Sequence, residues 1–417
     1  MSEAGRVVVV GGGVVGAACA YYLAKDGHAV TVVDRGAFGA GCSHANCGYI
    51  CPSHVLPFAG PGAIRSTLKT LFQRESPLKV RAGVVLRDPR WFLTFARRCN
   101  VRDRHTAGMA LRSLLTSSRS LFDELICEEQ LDCEWEKNGL LFVFQSHAAF
   151  EHYAETDRLL RDEFATPARC LDAAALQVLE PALKPGLAGG YHYESDAHLR
   201  PDRLMRELRR VLTVRGVEIR EQCEVTGFTE ENGRATGLRT ASGETIPCEK
   251  VVIAAGAWTP WLRNSLGCRV PIQPGKGYSI TSARPVICPR IPMIFEEHRV
   301  AVTPFRSGYR IGSTMEFAGY DASMNRNRLR LLTDGASPYL REPIAEPLEE
   351  EWWGWRPMTP DSLPMIGRSP KWGNVWLAAG HNMLGLSLAT GTGRLIAEML
   401  SDRTPHVDPT PFAVTRF

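Results

Sequence analysis

Three glycines and one carboxylate near the N-terminus are the first residues whose types and spacing could do chemistry. The segment from Gly11 to Gly16 matches the pattern G-x-G-x-x-G, and Asp34 follows it after 17 intervening residues. Gly11 allows a tight turn, Gly13 lets the backbone approach a pyrophosphate, and Gly16 lets a helix pack closely on a strand. A carboxylate at this distance can accept hydrogen bonds from ribose hydroxyls. The group therefore predicts a site for an adenine dinucleotide.

The residues around this group predict the elements that must position it. Arg6–Val10 and Ala29–Val33 are β-branched runs typical of buried parallel strands, and a helical pattern lies between them. The free N–H groups and the positive end of that helix would face the phosphates. Its glycines also argue against a membrane span or a secretion signal over Val7–Ala24. FAD and NAD both fit the pattern, and NADP fits it least, because Asp34 would repel a 2′-phosphate.

The composition excludes several classes of protein and site. A chain of 417 residues with 44% hydrophobic and 23% charged residues can form two or three domains with ordinary cores. Its net charge of +4 is too small to predict nucleic-acid binding. The 12 cysteines include no C-x-x-C pair, which excludes the usual zinc spacing and favours a reducing, cytoplasmic compartment. Cys42, Cys47 and Cys51 lack the fourth thiolate of an iron–sulfur cluster, so no metal site is predicted.

Elements of the nucleotide-binding type recur in the middle and at the end of the chain. Val251–Gly256 reads as a buried strand, and Val375–Ala379 reads as another, followed by the apolar helix Leu386–Leu400. The predicted fold class is therefore α/β, with an α+β domain inserted into a cofactor domain. The predicted boundaries give the discontinuous cofactor domain residues 1–57, 196–264 and 355–417, and give the substrate or cap domain residues 58–195 and 265–354.

Two Asn-Gly pairs predict tight turns between strands. Asn138-Gly139 predicts a hairpin that ends in the strand Leu140–Phe144. Asn232-Gly233 predicts a second hairpin, which joins strands over Val217–Thr226 and Ala235–Thr240. Helices are predicted within residues 107–165, over 200–216 and over 323–342.

Residues 58–112 carry a strong excess of positive charge. They include twelve Lys or Arg residues against three acidic ones, interleaved with apolar side chains. These apolar residues include Leu68, Leu71, Phe72, Trp91, Phe92, Leu93 and Phe95. A solvated helical region with one apolar face fits this pattern, and so does a site of attachment to an anionic membrane surface or a partner.

Five motifs occur in order along the chain. They are the glycine fingerprint at Gly11–Gly16, Gly41–Gly48 (GCSHANCG), Val251–Trp258 (VVIAAGAW), Trp353–Pro357 (WGWRP) with Asp361, Pro364 and Gly367, and Gly380–Gly385 (GHNMLG). Together they resemble the D-amino-acid oxidase-like family of FAD-dependent oxidoreductases. The resemblance covers residues 6 to about 400 and is closest to the bacterial D-amino-acid dehydrogenase branch, which includes dehydrogenases of D-proline and hydroxy-D-proline.

This resemblance implies a fold and a reaction. It implies noncovalent FAD in a glutathione-reductase-like Rossmann domain, with a mixed-sheet substrate domain over the flavin. The expected reaction is oxidation of a D-amino acid to its imino acid by hydride transfer to flavin N5, followed by hydrolysis to the 2-oxo acid. Electrons would pass to a quinone or another acceptor, which would give the basic region 58–112 a use on the inner face of a membrane.

The resemblance also assigns site residues. Similarity to the oxidases places the carboxylate anchor on Arg356, and arginine is the side chain that grips a carboxylate bidentately. The helix after Gly385 would direct its positive end at the reduced flavin. Tyr278, His54 and His381 are the other predicted catalytic residues, although each could equally be a packing residue. The predicted cofactor-binding residues are Gly11, Gly13, Val14, Val15, Gly16, Asp34, Arg35, Cys42, Ser43, Asn46, Gly48, Tyr49, Val225, Ala255, Gly256, Gly354, Gly380, His381, Met383, Leu384 and Gly385.

Two departures from the family pattern leave questions open. Ala301–Pro304 has no tyrosine where the oxidases carry one, so another residue substitutes for it or the pocket is wider. Gly354–Met358 has no cysteine of the kind that attaches flavin in sarcosine oxidases. An oxygen-using glycine or sarcosine oxidase and a flavin-binding subunit of a larger complex remain as alternatives. The preferred side chain, the natural electron acceptor and the oligomeric state are not predicted.

Overall fold

A computed structural model describes residues 5–64 and 76–417. Its helices are α1 (Val14–Lys25), α2 (Ala82–Arg87), α3 (Pro89–Arg98), α4 (Val101–Glu129), α5 (His147–Phe164), α6 (Ala173–Leu179), α7 (Pro201–Val214), α8 (Arg263–Leu266), α9 (Arg326–Ala336) and α10 (Ala389–Leu400). Its strands are β1 (Arg6–Val10), β2 (Ala29–Val33), β3 (Tyr49–Ile50), β4 (Leu78–Val80), β5 (Leu140–Phe144), β6 (Arg169–Asp172), β7 (Gly189–Tyr193), β8 (Ala197–His198), β9 (Glu218–Arg220), β10 (Val225–Glu231), β11 (Arg234–Thr240), β12 (Thr245–Pro247), β13 (Lys250–Ile253), β14 (Gln273–Ser282), β15 (Met293–Phe295), β16 (Val300–Phe305), β17 (Gly308–Phe317), β18 (Leu348–Met358), β19 (Met365–Arg368) and β20 (Val375–Ala379).

The first large sheet contains the N-terminal strand and has the order β19-β20-β13-β1-β2-β9. Its strands are parallel except for β19, which runs antiparallel to β20. Successive side chains of β1 point to opposite faces, as a pleated strand requires. Val7 and Val9 join the apolar cluster that includes α1 and α10, whereas Val8 and Val10 join the cluster formed with β10–β12. Both faces of this sheet are therefore buried, which explains its uninterrupted apolar strands.

The second large sheet is mixed and has the order β18-β14-β17-β16-β15-β5-β7-β6, with β4 paired to β17. Its strands β14, β16 and β17 are long and almost entirely buried. The side chains on one face of this sheet pack against α9. The resulting apolar cluster contains Tyr278, Tyr309 and Tyr339. The opposite face turns toward the carboxyl ends of the first sheet. This α/β architecture with two large sheets confirms the predicted fold class.

The predicted elements are largely confirmed, with two corrections. The Asn138-Gly139 hairpin is wrong, because β5 pairs with β7 and β15 and not with the residues just before it. The predicted strand Val217–Thr226 is two strands, since β9 joins the first sheet while β10 pairs with β11. The turn at Asn232-Gly233 is confirmed, and both residues have positive φ (50° and 72°) as a type I′ turn requires.

Part of the basic region lies outside the described residues, including Leu68, Leu71 and Phe72. The described part of it forms β4, α2, α3 and the start of α4. Within residues 5–64 and 76–417, no helix is long and apolar enough to cross a membrane. We propose that the first sheet belongs to the predicted cofactor domain and the second to the predicted substrate domain.

Candidate active site

A cavity of about 1230 Å³ lies between the two large sheets. Val10, Val33 and Ala254 line it where β1, β2 and β13 end. Ser279 of β14 and Ala301 of β16 line it from the second sheet. Ligands of open α/β sheets bind at the carboxyl ends of the strands, so the cavity has the position expected of a cofactor site.

The glycine fingerprint adopts the close-packed turn that its sequence predicts. Gly11 has φ +115°, and a Cβ there would lie 2.4 Å from the carbonyl oxygen of Ala254. A Cβ on Gly16 would lie 1.9 Å from the carbonyl oxygen of Gly11. The first turn of α1 contains no acidic side chain, and Val14 N–H donates to Ser43 Oγ at 2.9 Å. The positive end of α1 is thus left for a phosphate of the ligand.

Asp34 and Arg35 border the cavity at the end of β2. The Asp34 carboxylate accepts from the N–H groups of Gly12 (2.6 Å) and Gly36 (2.8 Å), which fixes its orientation. The Arg35 guanidinium lies 5.3 Å from the ring centre of Trp258 and 4.8 Å from that of Trp261. A carboxylate, a cation and a helix N-terminus at one end of a long cavity fit the ribose and pyrophosphate of FAD.

Arg356 lies half-buried in the cavity wall. Its Nη1 donates to the carbonyl oxygen of Thr314 at 3.1 Å, and its Nη2 donates to that of Ser313 at 3.0 Å. The guanidinium packs against the Cα of Gly277, where a Cβ would lie 2.3 Å from Nη1. Burial lowers the pKa of Arg356, and no carboxylate among the described residues lies within 4 Å of it. The cavity wall therefore contains a cation that two carbonyl groups fix in place and for which the described residues provide no anionic partner.

A β-bulge in β17 supplies the carbonyl groups that hold Arg356. Ser279 pairs with Gly312 and Gly277 with Met315, so two residues of β17 oppose the single Tyr278 of β14. The first of these two residues, Ser313, has φ +118°, which is a strained value for a residue with a side chain. This strained conformation directs the Ser313 carbonyl oxygen toward the guanidinium of Arg356.

The side chain of Tyr278 points away from the arginine. Its backbone borders the cavity, but its ring lies in the apolar cluster on the far face of the second sheet. The hydroxyl donates to Glu316 Oε2 at 3.0 Å, and burial raises the pKa of Tyr278 above its ordinary value. We therefore assign this hydroxyl no contact with substrate.

His381 lines the cavity near the start of α10. Its Nε2 shares a hydrogen bond of 3.0 Å with Thr392 Oγ1, and burial lowers the pKa of His381 to about 3. The ring is therefore neutral. Gly380 has φ +73° and directs the chain into this turn, although it does not itself line the cavity. Met383, Leu384 and Gly385 do line it.

His54 borders the same cavity from the segment that follows β3. Its ring centre lies 5.9 Å from that of Phe142, and burial lowers its pKa to about 4. Its Nδ1 lies 3.3 Å from Ser53 Oγ, which in turn bonds to the buried Asp196. The imidazole is therefore neutral, and hydrogen bonds through the Ser53 hydroxyl connect it to the buried Asp196 carboxylate.

Three comparisons place this geometry among known proteins. The profile of the family described as FAD dependent oxidoreductase matches residues 6–399. A D-amino acid dehydrogenase of Paramagnetospirillum magneticum is 36% identical over 427 residues, covering 99% of each chain. Another from Xanthobacter autotrophicus is 33% identical over 432 residues, again covering 99% of each chain. This chain belongs to the FAD-dependent oxidoreductase family.

Solved structures show the same fold. A glycine oxidase from Geobacillus kaustophilus superposes with a TM-score of 0.80 at 24% identity, covering 99% of each chain. An L-proline dehydrogenase from P. horikoshii superposes with a TM-score of 0.74 at 20% identity, covering 100% of this chain and 98% of that one. Family membership confirms FAD as the cofactor, and the predicted noncovalent attachment stays a prediction.

The cavity brings most of the predicted site residues together. Of the predicted cofactor-binding and catalytic residues, all line it except Gly16 and Gly380. Gly16 instead packs α1 against β1, as its position in the fingerprint predicts. Cys42, Cys47 and Cys51 line the cavity as free thiols, and burial raises the pKa of each. The three thiols are therefore neutral and form part of the cavity wall as small side chains.

The contacts that hold the flavin loop, residues 41–48, were not predicted from the sequence. Three side chains of the second sheet donate to three successive carbonyl groups of this loop, at distances of 2.6–2.9 Å. These pairs are Ser279 with Ala45, Arg310 with Asn46, and Thr303 with Cys47. Thr303 lies in the stretch that lacks the oxidase tyrosine, so this stretch positions the flavin loop. The only signal for these contacts in the sequence was the presence of the polar residues Ser279, Thr303 and Arg310 in otherwise apolar strands.

Proposed function

We propose that this protein is a noncovalent FAD-dependent dehydrogenase that oxidises D-amino acids to imino acids and passes the electrons to a quinone or a similar acceptor. FAD supplies the two-electron acceptor for the Cα–H bond. The relatives at 32–36% identity over nearly the whole chain are D-amino acid dehydrogenases, which supports this assignment of the reaction.

Arg356 is the observation that carries the proposal. A desolvated guanidinium without a carboxylate partner is costly unless a ligand supplies the anion. Two of the five N–H groups of the guanidinium donate to the carbonyl oxygens of Ser313 and Thr314. The other N–H groups remain as donors for a substrate carboxylate. We propose that Arg356 anchors the carboxylate and thereby fixes Cα over the flavin. The cation also excludes substrates that lack an anionic group.

The remaining predicted residues have roles around the cofactor. Gly11, Gly13 and the start of α1 would bind the pyrophosphate, and Asp34 would accept from the ribose. The N-terminal turn before α10 would stabilise negative charge on the reduced ring, with neutral His381 packed beside it. Ala301 lines the cavity in the stretch that lacks the oxidase tyrosine, so we infer additional space beside its small side chain. This space favours substrates with side chains larger than that of glycine.

An anaerobic mixing experiment tests the proposed reaction. The FAD-loaded protein is mixed with D-proline, hydroxy-D-proline, D-alanine, sarcosine and the L enantiomers, and flavin absorbance is followed at roughly 450 nm. We expect a D-amino acid to bleach the flavin, a quinone analogue to restore its colour quickly and air to restore it slowly. Rapid bleaching by sarcosine or glycine with immediate recovery in air would make the protein an oxidase instead. Bleaching by none of them would make it a flavin-binding subunit.

We further propose that the described part of the basic region docks on an anionic membrane surface. Leu86 and Leu93 are 80% and 58% exposed on α2 and α3, and Val101 is 61% exposed at the start of α4. Exposed arginines flank these apolar side chains at positions 87, 90, 97 and 102. Apolar side chains among cations suit insertion between anionic lipid headgroups. This surface would bring the flavin site close to a lipid-soluble quinone.

Vesicle sedimentation tests this surface. We expect the protein to bind vesicles that contain phosphatidylglycerol at low salt, and to dissociate as salt screens the arginines. Replacing Leu86 and Leu93 together by Glu should abolish binding. Val214→Glu is the matched control, because Val214 is 78% exposed on α7. A wild-type protein that fails to bind at low salt, or equal binding by the double variant, would refute the docking proposal.

A further inference from the structure

A buried carboxylate beside the flavin site has no role in the scheme so far. Asp196 is 0% exposed. Its Oδ1 accepts from Ser53 N–H at 3.0 Å and its Oδ2 accepts from Ser53 Oγ at 2.5 Å. Ser195 Oγ and the Cys51 thiol also donate to it. Because both carboxylate oxygens already accept hydrogen bonds, we treat this cluster as a hydrogen-bond network and not as a metal site.

The network connects Asp196 to the cavity through Ser53 and His54. The Ser53 hydroxyl has one proton, and it donates this proton to Asp196. Its oxygen can therefore only accept from His54 Nδ1, which lies 3.3 Å away. The proton of the neutral imidazole thus resides on Nδ1, and the lone pair resides on Nε2. Nε2 has no hydrogen-bond partner within residues 5–64 and 76–417, and His54 lines the cavity.

We propose that His54 Nε2 accepts the proton that the substrate ammonium must lose before oxidation, and that Asp196 positions this base through Ser53. This inference rests on the proposed function, since it names the group that prepares an amino acid for that reaction. His54 is the catalytic residue of the pair, and Asp196 is a positioning residue.

An N–H bond of the ammonium breaks, its electron pair stays on nitrogen, and a new bond joins the proton to Nε2. The Cα hydrogen would then leave together with the electron pair of its bond, for which a bound FAD would be the acceptor and the oxidant. The nitrogen lone pair forms the C=N bond of the imino acid. Burial disfavours the imidazolium of His54, so the transfer is uphill for the isolated ring, and the negative Asp196 offsets part of this cost through the Ser53 hydroxyl.

The surroundings of the network make its state depend on pH. Burial raises the pKa of Asp196 to about 7. The described groups that face it are the Ser53 and Ser195 hydroxyls, the Cys51 thiol, the Tyr193 phenol and the His54 ring, which burial keeps neutral, so none of them is a cation at neutral pH. Above that pH, the ionised carboxylate accepts the hydrogen bond of the Ser53 hydroxyl, the imidazole proton stays on Nδ1, and Nε2 keeps its lone pair. Below it, the protonated carboxyl can donate to Ser53, whose own proton then turns to Nδ1. The imidazole proton moves to Nε2 and the base is lost as pH falls.

The first test measures the anaerobic rate of flavin reduction by a D-amino acid between pH 5 and pH 9. In the wild type we expect the rate to rise with an apparent pKa near that of Asp196. His54→Gln should lower the rate at pH 9 by about 10²–10⁴-fold, the usual contribution of a general base. Asp196→Asn should lower it and remove the rise near neutral pH. A rise that persists in Asp196→Asn would overturn the proposal.

A matched control separates this role from the general effect of removing a buried carboxylate. Glu180 is 0% exposed, and burial raises its pKa. It accepts from backbone N–H groups of Ala182, Arg290 and Ile291, and it does not line the cavity. Glu180→Gln should keep the wild-type pH profile. Loss of the profile in this variant as well would indicate a purely structural effect.

The second test reads the histidine directly and needs no turnover. ¹⁵N NMR of labelled histidine, with the His54 signals assigned from His54→Gln, reports which ring nitrogen carries the proton. We expect the Nδ1–H tautomer in the wild type at pH 8 and the Nε2–H tautomer in Ser53→Ala. The opposite wild-type tautomer would overturn the inference. The expected tautomers in a protein that no D-amino acid reduces would refute the proposed function and leave the network intact.

Discussion

The dinucleotide cradle and the wall that holds Arg356 are built by different physical means. The cradle comes from one βαβ unit within residues 6–34, in which glycine backbones allow contacts that no side chain could allow. The arginine wall combines three strands, β14, β17 and β18, and depends on a bulge with a strained residue. The cradle is thus determined locally, whereas the wall depends on the register of distant segments.

The largest loss of FAD affinity that we predict follows from removing the close packing of the cradle. Gly16→Ala would place a Cβ 1.9 Å from the carbonyl oxygen of Gly11, so α1 must move away from β1. Overpacking of this kind costs about 1–3 kcal/mol, which corresponds to roughly 5- to 150-fold weaker FAD binding. Fluorescence titration of the apoprotein measures this affinity. Gly83→Ala is the control, because no neighbouring atom of the described residues lies within 4 Å of its added Cβ, and its FAD affinity should be unchanged.

An intermediate effect is expected at the outer end of the cradle. Arg35→Ala removes a cation held over the rings of Trp258 and Trp261. The cation would face the FAD phosphates, and an exposed ion pair contributes about 0.2–1 kcal/mol, so FAD should bind up to about fivefold more weakly. The substrate KM should not change, since Arg35 lies at the end of β2 and Arg356 is held by β14 and β17. An increase in KM without a change in FAD affinity would contradict the separation of the two regions.

The smallest effect on ligand binding is expected at the strained bulge. Ser313 acts through its backbone carbonyl, so Ser313→Ala should leave KM within about twofold of the wild type. Ser313→Gly should relieve the strained φ of +118° and raise the free energy of unfolding by about 1 kcal/mol. Thermal denaturation measures the second effect. A large rise in KM for Ser313→Ala would instead show that the serine hydroxyl contacts the substrate.

The same contrast explains which parts of the site could be predicted from the sequence. The cradle could be predicted residue by residue, because a strand, a turn and a helix follow one another within 30 positions. Arg356 was assigned only through the resemblance, since nothing near it in the sequence marks a bulge 43 residues away. Asp196 was missed because its partner Ser53 lies 143 residues earlier in the chain. The Asn138-Gly139 hairpin was wrong because local turn chemistry does not determine which strands pair.

The most direct test of the account measures two affinities in one variant. Arg356→Gln removes the cation while FAD and benzoate, a carboxylate without an amine, are each titrated. Loss of one partner of a buried charge pair costs about 2–5 kcal/mol, so benzoate should bind at least about 30-fold more weakly. The FAD affinity should stay within about twofold of the wild type. Unchanged benzoate binding, or a parallel loss of FAD, would contradict the assignment of Arg356 as the carboxylate anchor.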